Sequence, residues 1–182
     1  MWELPLVGAL IALSFLLYKI RGPYQSKIVF SYAMPILKPI PIPTKGKGFW
    51  TALRIWLFTT RQWVVVQDWI FTLDGRNYKI PKGFQFDGAS VPKFMRMWLS
   101  PTGILLIGGL VHDYGYRHGT LLMVGDHEIG QKDQKWMDKL FLDICVSVNG
   151  FSTLNYIAYC MLRCFGFIAW NKHRRNDGSS NT

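Results

Sequence analysis

Apolar and polar positions change their spacing several times along this chain. Leu4 to Tyr18 carries no charged residue, Trp2 and Tyr18 stand at its two ends, and Lys19, Arg21 and Lys27 follow it. An apolar run bounded by aromatics and followed by cations reads as a membrane-spanning anchor over 1–21, with the basic side in the cytoplasm. No Lys or Arg precedes the run, as a cleaved signal peptide would need. Pro35, Pro39, Pro41 and Pro43 then recur ahead of Lys45-Gly46-Lys47-Gly48. Such spacing resists helix, so 22–48 reads as an extended linker that holds a domain off a bilayer or wraps its sheet. Trp50 to Phe58 alternates weakly, and Trp63 to Phe71 is dense in Val, Ile and aromatics. Asp74-Gly75 is a hairpin signal, and Tyr78-Lys79-Ile80 returns as its partner strand until Pro81 ends it. The region predicts two to four antiparallel strands.

Beyond residue 100 the spacing becomes helical. Ser100-Pro101 opens a helix, Ser as N-cap and Pro at the first helical position, that runs through Ile104 to Ile107 and carries His112-Asp113. A second helix spans roughly Gln131 to Val148, its stripe made of Trp136, Met137, Leu140, Phe141, Ile144, Cys145 and Val148. A third runs from Ser152 to about Phe165 and stops at Gly166. Asn155 and Arg163 argue against a membrane span there, so it reads as a core helix with Arg163 on its wet edge. The expected fold is α+β. A small antiparallel sheet followed by three helices fills 49–171, an N-terminal transmembrane helix precedes it, and 172–182 is a polar tail.

Charge adds a partner class. The chain carries a formal +10 with 15% aromatic residues. With no nucleic-acid-binding motif in view, that balance points to an anionic membrane surface and no nucleic acid. Cys145, Cys160 and Cys164 are an odd set on apolar helix faces and read as buried thiols.

The chemistry concentrates at His112-Asp113-Tyr114-Gly115-Tyr116-Arg117, where an apolar run ends in charge. A neutral imidazole takes a proton from water at physiological pH. The next carboxylate points about 100° further round a helix and suits a hard cation instead. The hydroxyls of Tyr114 and Tyr116 are placed to orient a carboxylate. Asp87-Gly88-Ala89-Ser90 turns tightly between sheet and helices, so Asp87 either joins Asp113 as a cation ligand or bonds only its own loop. Ser90 as a nucleophile lacks the Gly-x-Ser-x-Gly elbow. Two aspartates compete for His112: at 100° per residue Asp133 falls mid-stripe, while Asp138 sits at the margin. His118, Asp126, His127 and Glu128 follow no standard zinc spacing and read as a solvated loop.

The string His112 to Arg117 resembles the active-site helix of the phospholipase A2 superfamily, closest to its bacterial and fungal branch. That resemblance implies that His112 activates the attacking water and Asp113 binds calcium, with a second aspartate on the following antiparallel helix orienting the histidine. Gly115 stands where the disulfide-stapled animal enzymes carry cysteine, and their Gly-rich calcium loop has no counterpart here, which suits a cytoplasmic domain. A longer ordered set is Pro81-Lys82-Gly83-Phe84, Asp87 to Pro92, His112-Asp113-x-x-Tyr116, Asp138-x-x-Phe141 and Leu162-Arg163-x-x-Gly166 with Trp170. From about Trp69 to Trp170 it resembles an uncharacterised family common in phages and prophages. Its Asp-x-x-Phe-Leu pattern favours Asp138 as the partner of His112.

The sequence thus supports a membrane-anchored phage-type hydrolase of phospholipid or another envelope component. His112 and Asp138 are the catalytic pair, Asp113 and Asp87 the metal ligands, and Ca²⁺ the cofactor. The rival is a non-catalytic virion-membrane or lysis-associated protein, partnered by other phage or virion proteins, whose His-Asp cluster holds helices in register. A metal-dependent peptidoglycan hydrolase is a third reading, opposed by the cytoplasmic orientation.

Overall fold

The computed structural model of the chain describes residues 5, 8, 9, 11–13, 15, 16, 19, 30–42, 44–58, 62–87, 105–125 and 127–179. The expected hairpin is its clearest local feature. Strands β4 (Trp69–Leu73) and β5 (Arg76–Ile80) pair antiparallel, Leu73 opposite Arg76. Asp74 and Gly75 take φ 51° and 72°, the left-handed pair that a two-residue turn needs to follow strand twist. Alternate positions Trp69, Phe71 and Leu73 are buried, and Phe71 stacks on Tyr78 with ring centroids 5.6 Å apart. β1 (Phe30–Tyr32) and β7 (Leu122–Met123) flank the hairpin to give the order β1-β4-β5-β7.

A second antiparallel sheet has the order β2-β3-β6, from Leu37–Ile40, Gln62–Val65 and Gln85–Phe86. The run Trp63 to Phe71, dense in Val, Ile and aromatics, is therefore divided between two strands in different sheets. Strands β1 and β2 lie within the stretch expected as linker. Pro39 is tolerated because β2 is an edge strand, where a missing N–H is not needed by a further neighbour. Trp50 to Phe58, expected as strand, lies in helix α1 (Phe49–Phe58). Weak alternation in a short apolar run does not separate the two states, and Ala52, Leu53, Arg54 and Leu57 are helix formers.

Three longer helices follow. α2 (Leu106–His118) ends at Gly119, φ 68°, whose N–H bonds the Gly115 carbonyl. Its expected start at Ser100-Pro101 lies outside the described residues. α3 (Gln134–Asn149) begins where the Asp133 carboxylate accepts from the Trp136 N–H, an N-cap, and ends at Gly150 in the left-handed region. α4 (Ser152–Ser179) runs straight through the expected stop at Gly166 and into the expected tail. Glycine ends a helix only where it turns left-handed. Gly166 is buried in helix, and a Cβ there would lie 2.5 Å from the Tyr116 hydroxyl, so close packing explains it instead.

The sheets, α2 and one side of α3 share a core that includes Phe71, Ile80, Phe86, Leu110, Val111 and Ile144. Leu105, Phe141, Cys145, Ile157 and Met161 form a second cluster where α2, α3 and α4 meet. The result is a mixed α+β fold with two small antiparallel sheets. Among the described residues no helix is long and apolar enough to cross a membrane, so the transmembrane expectation finds no support there; most of the segment 1–21 on which it falls lies outside the described residues. The uncharged run Leu4 to Tyr18 is itself short for a span, since about 20 residues are needed to cross a ~30 Å core.

Candidate functional site

Helix α2 presents two chemistries on two faces. His112 and Tyr116, one turn apart, face α3; Asp113 points about 100° further round. His112 is 2% exposed and Asp138 0%. The imidazole Nε2 lies 3.0 Å from Asp138 Oδ1, and the Tyr116 hydroxyl donates to the same oxygen at 2.5 Å. The other oxygen, Oδ2, accepts from Arg163 Nη1 at 2.6 Å and from Gln134 Nε2 at 3.3 Å. One buried carboxylate thus ties α2, α3 and α4 together. Of the two competing aspartates, the structure puts Asp138 at the imidazole. Asp133 is occupied as the cap of α3.

The electrostatics follow from this wiring. Burial pulls the Asp138 carboxyl upward, but hydrogen bonds from His112, Tyr116 and Arg163 outweigh it and hold the group below its ordinary value. Burial lowers the His112 pKa despite the opposing hydrogen bond and charge of Asp138, so the ring is neutral at physiological pH. Tyr116 is pushed far up by burial and by its bond to Asp138, so it remains a donor. The side of the ring facing Asp138 is a donor–acceptor pair, which assigns the proton to Nε2 and the lone pair to Nδ1. The imidazole is also packed by rings, Tyr116 at 4.0 Å and Phe141 at 5.5 Å between centroids.

Asp113 lines a different space. It is 5% exposed and shares a cavity of about 290 Å³ with Asp87, Tyr116, Arg117, Lys172 and His173. The two expected metal ligands therefore meet at one cavity, one wall from α2 and one from the segment after β6. Two carboxylates are a partial oxygen set for a hard cation, which takes six to eight ligands as calcium. Among the described residues no group of three or more His, Cys, Asp and Glu side chains is arranged to hold a metal ion. Residues 88–90, Ser90 included, lie outside the described residues, as does Asp126.

The remaining candidates disperse. His118 packs on Tyr114 at 4.5 Å, and Tyr114 on Phe84, so this tyrosine does not join Asp138. Cys145 is buried, as expected of these thiols, but Cys160 is half-buried and Cys164 exposed. Sequence reasoning misses Arg163 and Gln134 as members of the cluster. The available signal is a cation set between Leu162 and Cys164 in an otherwise apolar stretch. Such a charge needs a partner, and a buried acid on a neighbouring helix is the natural one.

Residues 63–161 match the profile of a family described as protein of unknown function (DUF1353). No curated protein and no solved structure matches the chain. The family description carries neither a phage setting nor a likeness to phospholipases. The match runs from β3 into α4, includes His112, Asp113 and Asp138, and takes in more than half of the 182 residues; the chain belongs to this DUF1353 family.

Proposed function

We propose that this protein is a hydrolase of a phospholipid ester or a related envelope component. The observation that carries the proposal is the division of labour around α2. Asp138, from the following helix, engages Nε2 of His112, while the adjacent Asp113 looks into a cavity that Asp87 also lines. In this reading His112 is the general base: Nδ1 takes a proton from water, the water oxygen adds to the ester carbonyl, and the same proton passes to the departing alkoxide. Asp138, kept ionised by Tyr116 and Arg163, fixes the tautomer and offsets the transient imidazolium charge. Asp113 and Asp87 would hold a hard cation such as Ca²⁺, which when bound supplies positive charge for the developing oxyanion. The +10 chain and the exposed apolar residues Ile11, Leu13, Phe15 and Leu16 support a setting at an anionic membrane. A phage or virion membrane fits that chemistry, and a single-pass anchor at the N-terminus remains part of the proposal.

One observation favours a second reading, a non-catalytic cluster. His112 is sealed among rings, and Asp138 already accepts from four donors, as a polar tie between helices would. Two variants measured two ways separate the readings. For a hydrolase, His112→Ala lowers lipid-ester turnover by about 10²-fold or more. Asp113→Asn removes the response to added calcium. Both keep a cooperative fold. No wild-type turnover on a panel of labelled phospholipids with and without calcium, together with a lowered melting temperature for both variants, would sink the hydrolase and leave the structural tie.

A further inference from the structure

Helix α4 changes character along its length. Up to Leu162 it is a core helix: Tyr156, Ile157, Ala158, Met161 and Leu162 are buried. Beyond Arg163 the apolar residues turn outward, with Phe165 45%, Phe167 50% and Ile168 60% exposed. At 100° per residue, Phe165 lies about 60° to one side of Ile168 and Phe167 about 100° to the other, a broad apolar face. Arg175, two turns on from Ile168, is exposed on the same side, and Lys172 lies between. Arg174 is excluded from that face. Its guanidinium turns inward and donates to the Tyr116 and Arg117 carbonyls at the end of α2.

We propose that this face of α4, centred on Ile168, is the surface by which the protein lies on an anionic lipid bilayer. It deepens the membrane setting proposed above and rests on that reading. Three observations choose this occupant. Large apolar side chains followed along one face by cations suit the interface plane, apolar groups at the acyl boundary and cations among phosphates. A chain of net charge +10 is drawn to such a surface as a whole. Ala169, Lys172 and His173 of the same helix line the cavity shared by Asp87 and Asp113, so a bilayer on this face stands beside that cavity. No helix among the described residues can span, so the contact is parallel to the bilayer.

Cys164 provides the reporter, since at about 40° from Ile168, toward Phe167, it is exposed within this face while Cys145 is buried. The full chain, with Cys160→Ala to leave one accessible thiol, carries a polarity-sensitive fluorophore on Cys164. It is titrated with vesicles of phosphatidylglycerol and phosphatidylcholine, and with phosphatidylcholine alone. The expected result is a saturable blue shift with anionic vesicles that high salt abolishes. Ile168→Ser with Arg175→Ala weakens partition roughly 10-fold or more, while hydrolysis of a soluble short-chain ester is unchanged. Failure of the hydrolase reading would leave the blue shift intact. The proposal is overturned if the chain sediments with vesicles and the label does not respond, because another segment then makes the contact. It is equally overturned if the chain does not bind, or if the label shifts with protein concentration in the absence of lipid, because a second copy then covers the face.

Discussion

Replacing Asp138 by asparagine keeps the shape of the side chain and removes its charge. Four donors converge on this residue: His112 and Tyr116 on one oxygen, Arg163 and Gln134 on the other. An amide offers one accepting oxygen and one donating NH₂. With its oxygen toward Arg163 and Gln134, its NH₂ meets His112 and Tyr116, which must then give up donating: the imidazole changes tautomer and the Tyr116 hydroxyl turns to accept. A hydrogen bond to a charged group is worth about 1.5–3 kcal/mol, and removing one partner of a buried ion pair costs about 3–5 kcal/mol. Arg163 has 35% of its side chain exposed and recovers hydration, which argues for the lower end. Asp138→Asn should therefore destabilise by about 3 kcal/mol, or roughly 6–12 °C in Tm for a domain of this size. Asp133→Asn is the control, since asparagine caps a helix as well as aspartate and the change should stay under about 0.5 kcal/mol. Thermal melts of wild type and both variants at pH 7 measure the difference. A second signature comes from acid. Because Asp138 is held below its ordinary value, its contribution is present above about pH 4 and lost as pH falls through the folded pKa. That component of the acid limb should be missing in Asp138→Asn. A variant melting within about 2 °C of wild type at pH 7 would refute the reasoning, because less than about 1 kcal/mol would then separate them.

Gly108→Ala should lower the urea midpoint by an amount equivalent to about 1–3 kcal/mol, since its Cβ would overlap Cys145 Sγ and lie 3.2 Å from the Phe141 ring. Gly115→Ala meets the flexible Met137 thioether instead and should be milder, so equal losses in the two variants would contradict the packing argument. Asp143 is 1% exposed and burial raises its pKa to about 7. The unfolded chain ionises first, so wild type loses stability as pH rises from about 4 to 7. Asp143→Asn should raise Tm at pH 8 and converge on wild type near pH 4. The Lys139 ammonium at 2.9 Å opposes this, and a variant less stable than wild type at pH 8 would mean that the ion pair wins.

What could be read without coordinates was local. Asp74-Gly75 specifies its turn because both residues tolerate positive φ, and β4 and β5 follow at once. The stripe on α3 depends only on 3.6-residue spacing. His112 stood out because an apolar helix ended in a titratable pair. Asp138 needed family pattern as well as geometry, since wheel angles alone left Asp133 in contention until the structure showed it capping α3. Other features depend on partners distant in sequence. Trp50 to Phe58 holds too little periodicity to choose between strand and helix. Gly166 had the residue type of a helix stop, yet it serves the close approach of Tyr116. Arg163 became a ligand of Asp138 only because α3 and α4 pack side by side and α2 crosses both. The meeting of Asp113 with Asp87 at one cavity likewise depends on where β6 delivers the chain. The sequence by itself determined the hairpin turn, the apolar stripe of α3 and the helix that carries His112, because those are set by φ preferences and by residues within a turn or two of one another. Only the tertiary structure decided which carboxylate meets the imidazole, which cation holds that carboxylate, and which face of α4 stays bare, because those depend on how helices distant in sequence cross.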